Sequence, residues 1–384
     1  MKFGWTHGYL AILLFAATLI PLTAHGEDTT STAPETVGES TFQPESAADG
    51  LAQINTYLRD QENPLPLPER LAKSLKMFDV VWQMDSDAEF KHRLIWTRFS
   101  IRTAQARTGN EAAIDALMDD LKGYTKHEEP EVALEAQNAI ISLETMLVRQ
   151  ESEAKRLEYV QDKLAEITAM DVSSSSAKLG MTLAKNISSL VDAPHTAQFT
   201  DELARHFMSS TDAEIRATAE DLKGFSRRIN LVGNSMRIVG KTLDGKPLDL
   251  DALKGKVVLV DFWATWCGPC VAEFPHLKEL YEVYHPHGFE VIGISLDDAK
   301  ADVEAFASER ELPWLVVCNA EGDDYRGFSD VNARYYGINA IPQMILIGKD
   351  GLVVSTEARG EKLTTLLADA FPDVEVPETE TAAD

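Results

Sequence analysis

The feature that most constrains this chain is a junction. Residues 256–263 (KVVLVDFW) form a near-continuous apolar run, and four residues later the chain reads Cys267-Gly268-Pro269-Cys270. Such a run fits a strand covered on both faces. The segment after it, to about residue 284, has helical character, so the first cysteine falls at a helix N-terminus. Unpaired N–H groups and the helix dipole favour a thiolate there. The second cysteine lies one turn on, placed to attack a mixed disulfide and release its product. Pro269 restricts the residues between them. A C-x-x-C pair can also be half of a zinc knuckle, but that needs a second ligand pair. Of three cysteines only Cys318 remains, and His92, His127, His195 and His206 lack ligand spacing. The motif therefore reads as a redox dithiol, with no metal and no cofactor beyond the Cys267–Cys270 disulfide.

Around this junction strands and helices alternate. Strands are expected at 289–295 and 314–318, and a pair at 343–348 and 352–356 across Asp350-Gly351. Helices are expected at 301–310, 330–336 and 361–370. Residues 236–239 and 247–250 flank Asp244-Gly245, a hairpin turn signal. The predicted fold is α/β, a central mixed sheet flanked by helices over residues 229–371.

The stretch Val260-Asp261-Phe262-Trp263-Ala264-Thr265-Trp266-Cys267-Gly268-Pro269-Cys270 resembles the active-site segment of thioredoxins. With Glu273-Phe274-Pro275, Gly337-Ile338-Asn339-Ala340-Ile341-Pro342 and the Lys349-Asp350-Gly351 turn, it is similar to the extracytoplasmic thioredoxin-like proteins of the TlpA/ResA type. The resemblance covers about a third of the chain and leaves 51–228 untouched. It implies that Cys267 attacks and Cys270 resolves. It implies a cis Ile341–Pro342 bond facing the dithiol, whose backbone pairs with an extended substrate. Trp266, Gly268 and Pro269 would form the surface that the substrate meets.

Two carboxylates accompany the motif. Asp261 lies inside the apolar strand, where burial raises a carboxyl pKa and suits it to take the resolving thiol's proton. That position resembles thioredoxin, whereas many TlpA/ResA relatives carry a neutral residue there. Glu273, one turn beyond Cys270, matches the acidic residue those relatives place near the site. Cys318 ends an apolar strand and reads as a buried core thiol, the alternative being a third redox thiol.

The rest of the chain is of another kind. Lys2, an apolar run at 9–20, Pro21 and Ala24-His25-Gly26 read as an export signal over 1–26, too short an apolar run to span a bilayer as a helix. Left uncleaved, the same segment would be an anchor. Residues 27–50 are Ser-, Thr-, Glu- and Pro-rich and read as a disordered acidic linker. Residues 51–228 show helical spacing throughout. Ser86-Asp87-Ala88-Glu89 and Thr211-Asp212-Ala213-Glu214 match capping boxes, with Ser86 and Thr211 as N-caps and Glu three residues on, and with the variant Glu129-Pro130-Glu131 these starts recur at multiples of roughly 42 residues. That region reads as an all-α domain, either HEAT-like repeats with a protein partner or an irregular bundle. Residues 372–384 read as a disordered acidic tail. With 36 Lys and Arg against 62 Asp and Glu, the formal charge is −26, which argues against nucleic acid.

These readings converge on an exported, periplasmic or otherwise extracytoplasmic thiol–disulfide oxidoreductase that reduces protein disulfides. By resemblance its substrates are apocytochrome c or other exported proteins, and a membrane thiol donor recharges it. Two alternatives stand beside it. One is a helical scaffold with an accessory redox domain. The other is a thiol peroxidase, which the absence of a Pro within Ala264-Thr265-Trp266 disfavours.

Overall fold

A computed structural model describes residues 42–320 and 327–374. The export signal, most of the linker and the end of the acidic tail lie outside the described residues. Among those described, no helix is long and apolar enough to cross a membrane.

The chain divides into two compact units between Leu147 and Val148. The first carries α1 (Ala47–Arg59), α2 (Leu67–Trp82), α3 (Ala88–Arg107), α4 (Ala112–Tyr124) and α5 (Pro130–Val148), the last ending at the boundary. Leu94 of α3 packs with α1 and α2, while Ile95 packs with α4 and α5, so α3 separates two small cores. Helix α1 begins inside the segment read as linker. Ser46 accepts a hydrogen bond from Asp49 N, and Ala47 and Gly50 are buried. A Cβ on Gly50 would lie 3.1 Å from that of Pro44, so small side chains let this nominally disordered stretch pack.

The second unit begins with α6 (Glu153–Thr168), α7 (Ser174–Ile187), α8 (Ala193–Met208) and α9 (Ala213–Ile229). The sequence pattern changes at about residue 229, yet these four helices belong to the same compact unit as the α/β fold. Helix α7 starts on a Ser173–Ser176 capping box. Two expected caps are displaced by one residue. Asp87, not Ser86, accepts from Phe90 N, and Asp212, not Thr211, accepts from Glu214 N and Ile215 N. An ionised acceptor answers the helix N-terminus better than a hydroxyl. Glu89 and Glu214 thus fall short of the position a capping box requires.

The α/β part is a five-stranded mixed sheet in the order β3-β2-β1-β4-β5. Strands β1 (Val257–Trp263), β2 (Phe289–Ser295) and β3 (Leu315–Cys318) run parallel, and β4 (Gln343–Ile347) runs antiparallel to both of its neighbours, β1 and β5 (Val353–Ser355). Strand β1 is central and buried at every position, which is why its sequence is apolar throughout except at Asp261. Around the sheet lie α10 (Gly268–Tyr284), α11 (Lys300–Glu309), α12 (Val331–Tyr335) and α13 (Glu361–Ala370). His276 of α10 hydrogen-bonds Thr364 of α13 at 3.0 Å. The Asp244-Gly245 turn forms, with Thr242 N donating to Lys246 O at 2.9 Å, but only an isolated Lys241–Pro247 bridge follows it. Leu248 N donates to Gly240 O at 2.9 Å and the pairing stops there, with the Val239 N–H and C=O bonded to the Asn332 side chain instead, so the expected hairpin strands do not develop.

Candidate active site

The site is assembled where β1 ends. Leu296 N donates to Trp263 O at 2.8 Å, closing the β1–β2 edge. The chain then turns through Ala264, Thr265 and Trp266, and Cys267 N reaches back to Ala264 O at 3.1 Å. Asp297, buried just beyond β2, holds this turn. Thr265 N donates to it at 3.1 Å, Thr265 Oγ1 at 2.5 Å and Ser295 Oγ at 2.8 Å. Asp297→Ala would leave those donors unpaired and is expected to lower stability by about 3 kcal/mol, with Asp297→Asn losing less. Urea unfolding of the oxidised protein measures this, and an unshifted midpoint would show that the turn holds itself.

Cys267 is the N-cap of the 17-residue helix α10. Cys270 N lies 3.2 Å from Cys267 Sγ, so a backbone N–H points at the sulfur that would carry the negative charge. Pro269 falls in the first turn of α10, where a missing N–H leaves nothing unsatisfied. The two cysteines are joined, with Cα atoms 5.3 Å apart. Cys267 keeps 5% exposure and Cys270 none, so Cys267 is the less enclosed residue of the pair. The surface around them is Trp266, Gly268 and Pro269, all exposed. Trp266 meets the exposed ring of Phe328 edge-on, with centroids 6.3 Å apart.

Asp261 is fully buried on β1, flanked in register by Gly293 of β2 and Met344 of β4. Neither carboxylate oxygen has a hydrogen-bond partner. Burial pushes its pKa up to about 7; Glu273 adds to the rise and Arg359 opposes it. Glu273 pairs with Arg359, Nε to Oε1 at 2.9 Å. It sits one turn after Cys270, on the same side of α10. The dithiol and both carboxylates are thus brought into one neighbourhood.

The Ile341–Pro342 bond is cis. Gln343 pairs with Phe262 in the antiparallel β1–β4 ladder, so Pro342 lies at the end of the sheet where β1 delivers Cys267. Cys318 is elsewhere in role. It has no partner cysteine, it is buried at the end of β3, and burial pushes its thiol pKa up, away from a reactive thiolate. Among the described residues no three His, Cys, Asp or Glu side chains gather as a metal site.

Sequence reasoning missed Asp297, Arg359 and Phe328. Asp297 had a usable signal, an acidic residue just past the C-terminal end of a buried parallel strand, where open α/β sheets place their sites. Arg359 and Phe328 come from distant loops and had none.

An N-capping cysteine bridged to a partner one turn on, at the end of a buried strand that carries a carboxyl and at the same end of the sheet as a cis-proline, defines a thioredoxin-like redox domain. Residues 231–374 match the Redoxin family. The thiol-disulfide oxidoreductase ResA of Halalkalibacterium halodurans is 30% identical over 144 residues, covering 38% of this chain and 76% of that one. The chain belongs to the family of the ResA thiol-disulfide oxidoreductases. ResA of Bacillus thuringiensis is 35% identical over 120 residues, 31% of this chain, which spans 64% of the length of that relative. Among solved structures, the thioredoxin domain of a thiol-disulfide oxidoreductase from Bacteroides vulgatus is 32% identical, with a TM-score of 0.33, covering 36% of this chain and 96% of that one.

Proposed function

We propose that the protein is an exported reductase of protein disulfides that works by dithiol exchange through Cys267 and Cys270. The observation that carries this is the Cys270 N–H aimed at Cys267 Sγ at the mouth of α10. In the reduced protein Cys267 is the thiolate. It attacks one sulfur of a substrate disulfide, forms a mixed disulfide and expels the other substrate sulfur as a thiolate, which takes a proton. Asp261 accepts the Cys270 proton, and the Cys270 sulfur attacks Cys267 Sγ. That step forms the Cys267–Cys270 disulfide and frees the second substrate thiol. Two electrons pass to the substrate, and a thiol donor at the membrane returns them.

Trp266, Gly268 and Pro269 offer the exposed surface on which a substrate segment lies, and the Ile341–Pro342 backbone pairs with it. The apolar segment within residues 1–26 supports export, and apocytochrome c or other exported proteins are the substrates that the family resemblance suggests. The Gly-Pro pair between the cysteines favours a reducing couple like that of thioredoxin, at about −270 mV. Equilibration of the full chain with glutathione or dithiothreitol buffers is expected to give a midpoint in that region, with dithiothreitol-supported reduction of insulin. A midpoint near about −120 mV would make it a disulfide former instead.

A further inference from the structure

Helix α9 closes the helical segment and ends just before the region that matches the Redoxin family begins at residue 231. Its last two turns are keyed into the chain leading to the cis-proline. At Gly224 the backbone of α9 meets that of Gly337. A Cβ on Gly224 would lie 2.6 Å from Gly337 Cα and 3.1 Å from Arg334 O. A Cβ on Gly337, whose φ is +59°, would lie 2.6 Å from Phe225 N and 2.9 Å from Asp221 O. Only two glycines allow this approach.

One turn further, Arg228 Nη1 donates to Tyr336 O at 3.0 Å and to Gly337 O at 2.5 Å. Arg227 Nη1 donates to Tyr335 O at 3.0 Å, and its guanidinium lies 4.5 Å from the centre of the Tyr335 ring. The carbonyls that end α12 are therefore capped from another element. On a second side, Tyr336 OH bonds to Arg237 N at 2.7 Å and Arg237 O at 3.1 Å. Asn332 bonds to Val239 N at 2.9 Å and Val239 O at 2.8 Å. The stretch from Asn332 to Gly337 is gripped from both flanks, and Ile341–Pro342 follows within five residues of Gly337.

We propose that Gly224 and Arg228 of α9 are positioning residues for the redox reaction, fixing the loop 337–342 that presents its backbone to a protein substrate. The inference rests on the reading of that loop as the substrate-pairing element. It gives the final helix of the helical segment a task in substrate use, while the chemistry of Cys267 is set independently at the other loop. Release of the grip lets the loop wander, and a misplacement of an ångström in a positioning element can lower rates by one to two orders of magnitude.

The experiment compares the full-length wild type with Arg228→Ala, Arg228→Lys and Gly224→Ala on two substrates. One is insulin, a protein disulfide; the other is 5,5′-dithiobis(2-nitrobenzoate), a small disulfide that needs no backbone pairing. Arg228→Ala and Gly224→Ala are expected to lower kcat/KM for insulin about tenfold. Both should react with the small disulfide as fast as wild type, at an unchanged midpoint potential. Arg228→Lys, which keeps a cationic donor group in place of the guanidinium, should recover part of the loss. An equal fall on both substrates, or none on insulin, overturns the proposal. Should Arg228→Ala fail to fold, Arg228→Lys and Gly224→Ala decide it by the same ratio. A wild type unable to reduce insulin would overturn the underlying reading itself, which separates the two failures.

Discussion

Cys267→Ser is expected to bring protein-disulfide reduction to background, a fall of roughly a thousandfold or more, because no other described sulfur can take its place. Cys318, the remaining thiol, is buried with its pKa pushed up. Cys270→Ser is expected to behave differently. The backbone N–H of residue 270 still faces Cys267 Sγ, so the first attack survives. The resolving sulfur is gone, and each chain should stop after one event, covalently joined to its substrate. Non-reducing electrophoresis and intact mass would show the adducts, and peptide mapping should place them on Cys267. Multiple turnovers by Cys270→Ser at the wild-type rate would remove the resolving step from the mechanism. Adducts on Cys318 would reassign the nucleophile. The same trap identifies the physiological substrate by its mass.

Asp261→Asn should separate the two halves of the cycle. On the proposed mechanism the carboxylate is the base for Cys270, so mixed-disulfide formation should continue while release slows by about a hundredfold. In the wild type, release should accelerate as pH rises through about 7, where Asp261 ionises, and the variant should lose that rise. Stopped-flow traces that slow both halves equally would rule out this role. Stability should move the opposite way. The carboxyl pKa stands near 7 in the folded protein against an ordinary value of 3.8, so between these values the folded state holds a proton that the unfolded chain has lost. Stability therefore falls as pH rises from about 4 to 7, and the penalty, on the order of 4 kcal/mol, is complete above 7. Asp261→Asn is expected to match the wild type near pH 4 and to exceed it at pH 8 in urea titrations. Equal stability at both pH values would mean that the carboxyl finds a partner on ionisation.

The legible parts of this molecule are those whose physics is local. Strand β1 announces itself because a central strand must be apolar on both faces, and Asp261 stands out as the exception in that run. The dithiol is legible because a helix start and two cysteines lie within a few residues. The cis bond at Pro342 was implied by the family resemblance of its neighbours, not by any rule of spacing. What was not legible depends on chain segments meeting from afar. Asp297 grips Thr265 across 32 residues, Arg359 pairs with Glu273 across 86, and Arg228 reaches Gly337 across 109. The shifted caps at Asp87 and Asp212 are a smaller lesson of the same kind. Two adjacent acceptors competed, and the charged one won.

The glycine notch between Gly224 and Gly337 also fixes where the polypeptide can be severed. A fragment starting at 229 would strip away the side chains of Leu222 and Phe225, which are buried here, and leave three carbonyls at the end of α12 to water. The seam of the molecule lies at Leu147, and the catalytic half owns four helices that its spelling alone would have handed to its neighbour.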